Sequence, residues 1–247
     1  MSITFTPSHI PNLSIWLDGT DPLNNGGLSP NNGDILQFWH DKSKNANVMT
    51  CQNINTNPGI YYKAIHAEKG GVHFNRSIYS SGLRDISHNS DVFIIMRFDP
   101  SVNDFNLCSL YDPTLQDYSS LRKVNSKWLT DSTSPIRKTG AIVQETSTQC
   151  IMLQWSVADN NYYIYKNGTR ILFSNSFSYT PGGQLNFYLG TNAPDLPNNF
   201  VGEIGEVIVY KSPLDTRSRH LVEGYLAWKW NMILPNTHPY YGKEPLV

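Results

Sequence analysis

The stretch that decides the fold lies near the C-terminus and reads Phe200-Val201-Gly202-Glu203-Ile204-Gly205-Glu206-Val207-Ile208-Val209-Tyr210. Valine, isoleucine and aromatic residues predominate in it, and these residue types favour β-strands. The stretch therefore predicts a strand from Phe200 to Tyr210. It is followed by the one segment of the chain whose pattern is helical.

That segment predicts a C-terminal helix from about Thr216 to Trp230. Asp215 can cap its first turn by accepting backbone N–H bonds, and an apolar stripe follows at spacings of seven, four and three residues. The stripe consists of Leu214, Leu221, Tyr225 and Trp228. Three prolines then prevent regular structure in residues 231–247. We expect this tail to lie extended on the domain, held by Leu234, Tyr240, Tyr241 and His238.

Working back towards the N-terminus, short β-rich runs alternate with Gly, Pro, Asn and Asp, a pattern typical of antiparallel sandwiches and barrels. The clearest hairpin has Asn167-Gly168 between two such runs, because both residues accept the positive φ angles of a two-residue turn. The predicted strands before residue 200 are 14–17, 35–40, 71–75, 91–99, 106–111, 140–144, 150–156, 161–166, 169–173 and 185–189.

Length, charge and cysteine content limit the class of protein. A chain of 247 residues suits one large β domain, predicted over 1–247. A formal net charge of -1 gives no general attraction to nucleic acid or anionic membranes, so neither is an expected partner. No apolar run approaches the roughly 20 residues of a membrane span. Three scattered cysteines and the absence of a visible signal peptide predict synthesis in a reducing cytosol.

Three segments taken together resemble a known family. They are Ile15-Trp16-Leu17-Asp18-Gly19-Thr20-Asp21, then Phe38-Trp39-His40-Asp41-Lys42-Ser43, and finally residues 200–210 with Leu221-Val222-Glu223-Gly224-Tyr225-Leu226-Ala227-Trp228-Lys229-Trp230, Leu234-Pro235 and His238-Pro239-Tyr240. This order resembles the laminin-G-like domains of the concanavalin A-like lectin/glucanase superfamily, in the form found in structural and adhesion proteins of phages, large DNA viruses and bacterial surfaces.

The resemblance implies an all-β fold, an antiparallel two-sheet jelly-roll sandwich with one C-terminal helix and an extended tail. It also implies that ligands bind on the concave sheet or at the loop rim. It does not choose between hydrolases, lectins and modules that hold other proteins, so function has to be argued from individual residues.

Catalytic patterns are missing from the sequence. The glucanases of this superfamily place two carboxylates on one strand face, two or four residues apart, and no acidic pair here has that spacing. Glu203 and Glu206 are three apart, which predicts opposite faces of the strand. The histidines lack zinc-site spacing, and no G-x-S-x-G motif occurs. We therefore predict no catalytic residues and no enzymatic activity.

A binding site is better supported, because sugar sites combine exposed aromatic rings with amide and carboxylate groups. The loop before residue 200 carries such groups in Asn192, Asp195, Asn198 and Asn199. Aromatic candidates for the same ligand are Tyr163, Trp128 and Tyr179. The loop can equally be plain solvated surface, and the rings can equally serve packing or oligomer contacts.

No cofactor is predicted, although calcium is a possible ligand. Calcium prefers oxygen ligands, and Asp18, Asp21 and Asp195 lie on predicted loops or strand ends. The usual calcium-loop motif is absent, and Asp18 can as readily cap a local turn.

The leading hypothesis is a non-catalytic module on the surface of a virus or phage particle, contacting other structural proteins of the assembly, surface glycans, or both. Self-association into a homo-oligomer is compatible with it. The alternatives are a soluble carbohydrate-binding lectin and a divergent glycoside hydrolase with carboxylates on neighbouring strands.

Overall fold

Two antiparallel sheets pack face to face, as a computed structural model of the chain shows. The structure describes residues 3–26, 28–125, 127–132, 138–142, 151–158, 161–175, 184–193 and 198–247. The predicted fold class, an antiparallel two-sheet β-sandwich with a C-terminal helix, is confirmed.

The first sheet has the strand order β14-β13-β12-β7-β16-β5-β4, with β1 also paired to β16. Its strands are β1 Leu13–Asp18, β4 Ile60–His66, β5 Lys69–Asn75, β7 Asp91–Phe98, β12 Ile151–Ala158, β13 Asn161–Lys166, β14 Thr169–Asn175 and β16 Val201–Tyr210. The decisive strand β16 lies near its middle, which is why nearly all its residues are buried.

The second sheet has the order β11-β10-β9-β8-β15-β6-β3-β2. Its strands are β2 Phe38–His40, β3 Val48–Cys51, β6 Tyr79–Arg84, β8 Phe105–Asp112, β9 Asp117–Val124, β10 Lys127–Ser132, β11 Lys138–Ile142 and β15 Leu185–Leu189. The main core lies between the two sheets and includes Trp39, Phe74, Leu110, Trp155 and Val207.

A second apolar layer covers the outer face of the first sheet. Helix α1, Thr216–Lys229, and the segment around the short 3-10 helix Pro7–His9 pack there on Phe93, Ile95 and Ile208. The cap prediction is confirmed, since the Asp215 carboxylate accepts the Ser218 N–H at 2.7 Å. In the described part of the chain, no helix is long and apolar enough to cross a membrane.

The buried face of α1 differs from the predicted stripe. Trp228 is 54% exposed, whereas Trp230 is 0% exposed and lies under the helix end with Val222 and Leu226. Residues 222, 226 and 230 are four apart and share a face, while residue 228 is half a turn away from 226 and 230. The prediction that Trp228 belongs to the helix-packing face was therefore wrong.

The tail runs through turns before it pairs with the N-terminal segment, so the expected extended path is only partly observed. Thr4 and Leu246 form an isolated β-bridge. Leu234 and His238 are buried, as expected of anchors, but Tyr241 is half exposed.

Candidate functional site

The outer face of the second sheet carries three tyrosines and two asparagines, which we call the tyrosine face: Tyr111, Tyr118, Tyr188, Asn186 and Asn192. Asn186 pairs with Tyr111, and Tyr111 pairs with Tyr118, across three adjacent strands. Their neighbours Leu110 and Phe187 belong to the core, so these side chains point away from it. The rings of Tyr111 and Tyr188 meet edge to face at 5.9 Å.

The loop after β15 folds over this face. The Ser109 hydroxyl donates a hydrogen bond to the carbonyl oxygen of Asn192, which leaves Asn192 only 1% exposed. Within the described residues, the side-chain oxygens Oδ1 of Asn186 and Asn192 are buried without a hydrogen-bond partner. Buried amide oxygens are normally satisfied, so two such acceptors beside tyrosine rings indicate a place where a ligand can supply hydroxyl donors.

The far end of the same loop forms a separate depression at the end of the sandwich. The carbonyl oxygen of Asn198 accepts a hydrogen bond from the Asn106 N–H at 2.7 Å. Asn199 forms an isolated parallel β-bridge with Asn106. With Arg76 and Asp104, both asparagines line a cavity of about 320 Å³. The two described ends of the loop predicted as a ligand rim therefore lie at different places, one over the tyrosine face and the other at this cavity.

The other predicted ligand residues do not join this site. Trp128 is 0% exposed and packs on Phe98 and Phe105 in the core, so its prediction as a ligand residue was wrong. It faces inward because β10 lies inside the second sheet and its side chains alternate between the two faces. Tyr163 stacks on Tyr165 on the outer face of the first sheet, the opposite side of the sandwich. Tyr179 and Asp195 lie outside the described residues.

Two lysines neutralise the aspartates considered for calcium. The Lys42 ammonium lies 3.2 Å from Asp18 and 3.3 Å from Asp21, and Lys229 lies 2.8 Å from Asp18. Burial raises the pKa of Asp18, but Lys229 and Lys42 outweigh it and bring the pKa down to about 2. A cation bound by Asp18 and Asp21 would have to displace Lys42, and the role of Asp195 stays a prediction.

A β-bulge changes the predicted geometry of Glu203 and Glu206. The register of β16 against β7 shifts between Ile204 and Glu206, so both glutamates lie on the outer face, and the prediction of opposite faces was wrong. Glu203 binds the Arg97 guanidinium through two hydrogen bonds of 2.9 and 3.1 Å. Glu206 is fully buried under α1. Because both carboxylates are already held by cations, they do not form an open catalytic pair.

One group of possible metal ligands occurs in the described part of the chain: His220, Glu223 and His238, with ligand atoms within 4.8 Å of one another. The Tyr240 N–H donates to Nδ1 of His238 at 3.1 Å, which places the ring proton on Nε2. That Nε2 faces a carboxylate oxygen of Glu223 at 2.9 Å. The geometry fits a hydrogen-bonded clamp that fixes the tail to α1, as expected of His238.

A serine and a histidine also meet inside the molecule, which the sequence alone did not indicate. Ser119 Oγ and His88 Nδ1 are 2.8 Å apart, and Asp112 is near His88. All three residues are buried, and burial lowers the pKa of His88 to about 4 although Asp112 opposes the change. A substrate cannot reach this cluster in the observed structure, so its geometry does not provide an accessible nucleophile.

Asp91 gives a testable pH dependence. Burial under α1 raises its pKa from 3.8 to about 6, despite hydrogen bonds from Ser156 and the Leu214 N–H. Because the folded state holds the proton more tightly, this group favours folding below pH about 4, and that contribution is lost as the pH rises through about 6. Asp91→Asn should therefore raise the free energy of unfolding by about 1–3 kcal/mol at about pH 8 and not at about pH 4.

Urea denaturation of both proteins at the two pH values measures this effect. Asp85→Asn is the control, because the Asp85 side chain is 86% exposed. A loss of stability in Asp91→Asn at both pH values would contradict the expectation.

Comparisons with known proteins find similar structures but no similar sequences. The sequence matches no family model and no curated protein sequence. The structure is similar to domain 4 of AbnA, an extracellular GH43 arabinanase from Geobacillus stearothermophilus in complex with arabinotriose, with a TM-score of 0.59, 18% identity, and coverage of 84% of this chain and 96% of that one.

Two further structures share the fold over only part of their own length. Trypanosoma rangeli sialidase in complex with sialic acid has a TM-score of 0.59 and 12% identity, over 94% of this chain and 36% of the sialidase. The binding domain of Paraclostridial Mosquitocidal Protein 1 has a TM-score of 0.58 and 11% identity, over 89% of this chain and 53% of that chain. At these identities the likeness shows a common β-sandwich fold.

Proposed function

We propose that the protein is a non-catalytic carbohydrate-binding module whose ligand lies on the tyrosine face. The observation that carries the proposal is the pairing of tyrosine rings with two buried amide oxygens, of Asn186 and Asn192, that have no hydrogen-bond partner among the residues that the structure describes. Sugar rings offer apolar C–H faces to aromatic rings and hydroxyl donors to amide oxygens, so one ligand class satisfies both halves of the site.

The sugar-bound arabinanase domain supports the proposal at the level of fold, since it is a sandwich of similar size with a saccharide bound. The proposal of binding without catalysis rests on the carboxylates. Glu203 and Glu206 are held by Arg97 and Lys229 respectively. A divergent hydrolase would need two carboxyl groups free to meet a glycosidic bond.

A glycan array tests the proposal, run with the purified protein in calcium and again in a chelator. Specific binding that Tyr111→Ala or Tyr118→Ala weakens about tenfold, with unchanged melting temperature, is the expected result. Tyr163→Ala is the matched control, because that tyrosine lies on the other sheet. Binding lost in Tyr163→Ala and kept in the other two would place the ligand on the wrong face and overturn the proposal.

We further propose, from the sequence resemblance, that the module acts on the surface of a virus or phage particle, where it contacts glycans and neighbouring structural proteins. The calcium dependence of array binding tests whether Asp195 contributes to a calcium site. Hydrolysis of any arrayed polysaccharide, abolished by one Asp or Glu substitution, would instead favour the hydrolase.

A further inference from the structure

The cavity at the end of the sandwich, which we call the end cavity, carries groups of both charges. It encloses about 320 Å³. Its lining consists of Arg76, Val102, Asp104, Asn198, Asn199 and Val201. None of these residues belongs to the tyrosine face, so a ligand bound here is separate from the saccharide proposed above.

The polar groups of this lining have unused capacity for hydrogen bonds. Oδ1 of Asn199 is buried and has no hydrogen-bond partner among the described residues. Arg76 is exposed, and its guanidinium forms no ion pair or hydrogen bond with the described part of the chain. One carboxylate oxygen of Asp104 accepts the Asn125 N–H at 2.8 Å, which leaves the other oxygen for a second donor. The end cavity therefore offers a cation together with carboxylate and amide acceptors.

Hydrogen bonds hold the backbone of the lining in place. The Arg76 N–H donates to the Phe200 carbonyl at 3.0 Å, and the Asn53 side-chain amide donates to the Arg76 carbonyl at 2.9 Å. Arg76 and Asn198 have positive φ angles of 65° and 64°. For an arginine this conformation persists only where the surrounding structure enforces it. The lining is thus fixed before a ligand arrives, which lowers the ordering cost of binding.

The two charges of the end cavity do not neutralise each other by direct contact, since no ion pair joins Arg76 to Asp104. The ammonium of Lys123 also acts on Asp104, but Lys123 is buried in the core and does not line the cavity. In a partly enclosed space, charges are less screened than on open surface. The cavity therefore complements a ligand that carries both an anionic and a cationic group.

We propose that the end cavity binds a small zwitterion, namely a free α-amino acid with a small apolar side chain. The planar guanidinium of Arg76 matches the carboxylate of such a ligand. Asp104 and Oδ1 of Asn199 accept the N–H donors of its ammonium. Val102 and Val201 supply apolar contacts for the side chain. A volume of about 320 Å³ is at the lower end of the range for ligand pockets, which suits a ligand of this size.

Isothermal titration of the full chain with L-valine tests the proposal, with N-acetyl-L-valine and L-valinamide as matched probes. The first probe keeps the carboxylate and removes the ammonium, and the second does the reverse. Saturable binding of L-valine is expected, about tenfold tighter than either probe, because each probe loses one charge-assisted contact. The absence of saturable L-valine binding, or equal binding of either probe, overturns the proposal.

Arg76→Gln and Asp104→Asn should each weaken L-valine binding about tenfold. Arg76→Gln should also abolish the preference for L-valine over L-valinamide, because the variant and the probe remove the same contact. Arg76 is exposed, so its variant keeps the test valid if Asp104→Asn does not fold. Arg217→Gln is the matched control, because Arg217 is an exposed arginine on α1 that does not line the cavity. Equal losses in Arg76→Gln and Arg217→Gln would contradict the assignment of the site.

Discussion

Glu206→Ala should lower the free energy of unfolding by about 3–5 kcal/mol, because it leaves three hydrogen-bond donors under α1 without their acceptor and removes one of the two carboxylates that pair with Lys229. Glu206 accepts hydrogen bonds from Trp16 Nε1 at 2.8 Å, the Tyr225 hydroxyl at 2.9 Å and Trp230 Nε1 at 2.6 Å. The Lys229 ammonium lies 2.8 Å from Oε2 of Glu206, the carboxylate oxygen that Trp230 Nε1 also contacts. These groups come from β1, from α1 and from Trp230 at the end of the helix, so one carboxylate joins the sheet to the helix that covers it.

Equilibrium urea denaturation followed by far-ultraviolet circular dichroism measures the loss. Glu203→Ala is the matched control on the same strand and the same face, since Glu203 is only partly buried and pairs with a partly exposed arginine. We expect it to cost about 1 kcal/mol. Similar losses in both variants would show that burial under α1 gives Glu206 no special role.

The same network shows where sequence reasoning reached its limit at the helix. The capped helix and the strand from Val201 to Tyr210 were predictable, because a cap and a run of β-branched residues are local signals. The bulge at Gly205 was not predictable from alternation alone. A Cβ atom at Gly205 would lie 2.4 Å from the Trp230 ring. The packing of Trp230, 25 positions later in the chain, therefore requires glycine at this position.

The strands missed by the sequence prediction are β3, β4, β6, β9 and β10. For two of them, β6 and β9, the residues explain why. Strand β6 contains Ser80, Ser81 and Gly82, and strand β9 contains Ser119 and Ser120, so neither shows a clear apolar alternation. Both form because neighbouring strands supply hydrogen-bond partners on each side, which is a tertiary effect on weak local preference.

The tyrosine face contains one pair of residues that local sequence signals could have predicted and others that only the tertiary structure brings together. Tyr111 and Tyr118 are joined by one hairpin, so recognition of β9 would have placed them opposite each other. Tyr188 and Asn192 come from much later in the chain and reach β8 only through the strand order of the sheet. Sequence reasoning identified Asn192 by its loop, but it could not find the tyrosines that lie beside it.

The second large effect is expected at Trp230, where Trp230→Ala should cost about 3–5 kcal/mol. The ring is fully buried in the layer under α1 and lies against Gly205, and its N–H is one of the donors to Glu206. Trp228→Ala, two residues earlier, should change stability by less than about 0.5 kcal/mol, because the Trp228 side chain is 54% exposed.

Denaturation of the two tryptophan variants decides which face of α1 is buried, and a larger loss in Trp228→Ala would contradict the placement of the helix. Trp230→Phe separates packing from hydrogen bonding, since it keeps an aromatic ring and removes the N–H, and an intermediate loss is expected. The double variant Glu206→Ala with Trp230→Ala should lose less than the sum of the two single losses, because both remove the same bond. Full additivity would mean that the 2.6 Å contact between them contributes no coupling energy.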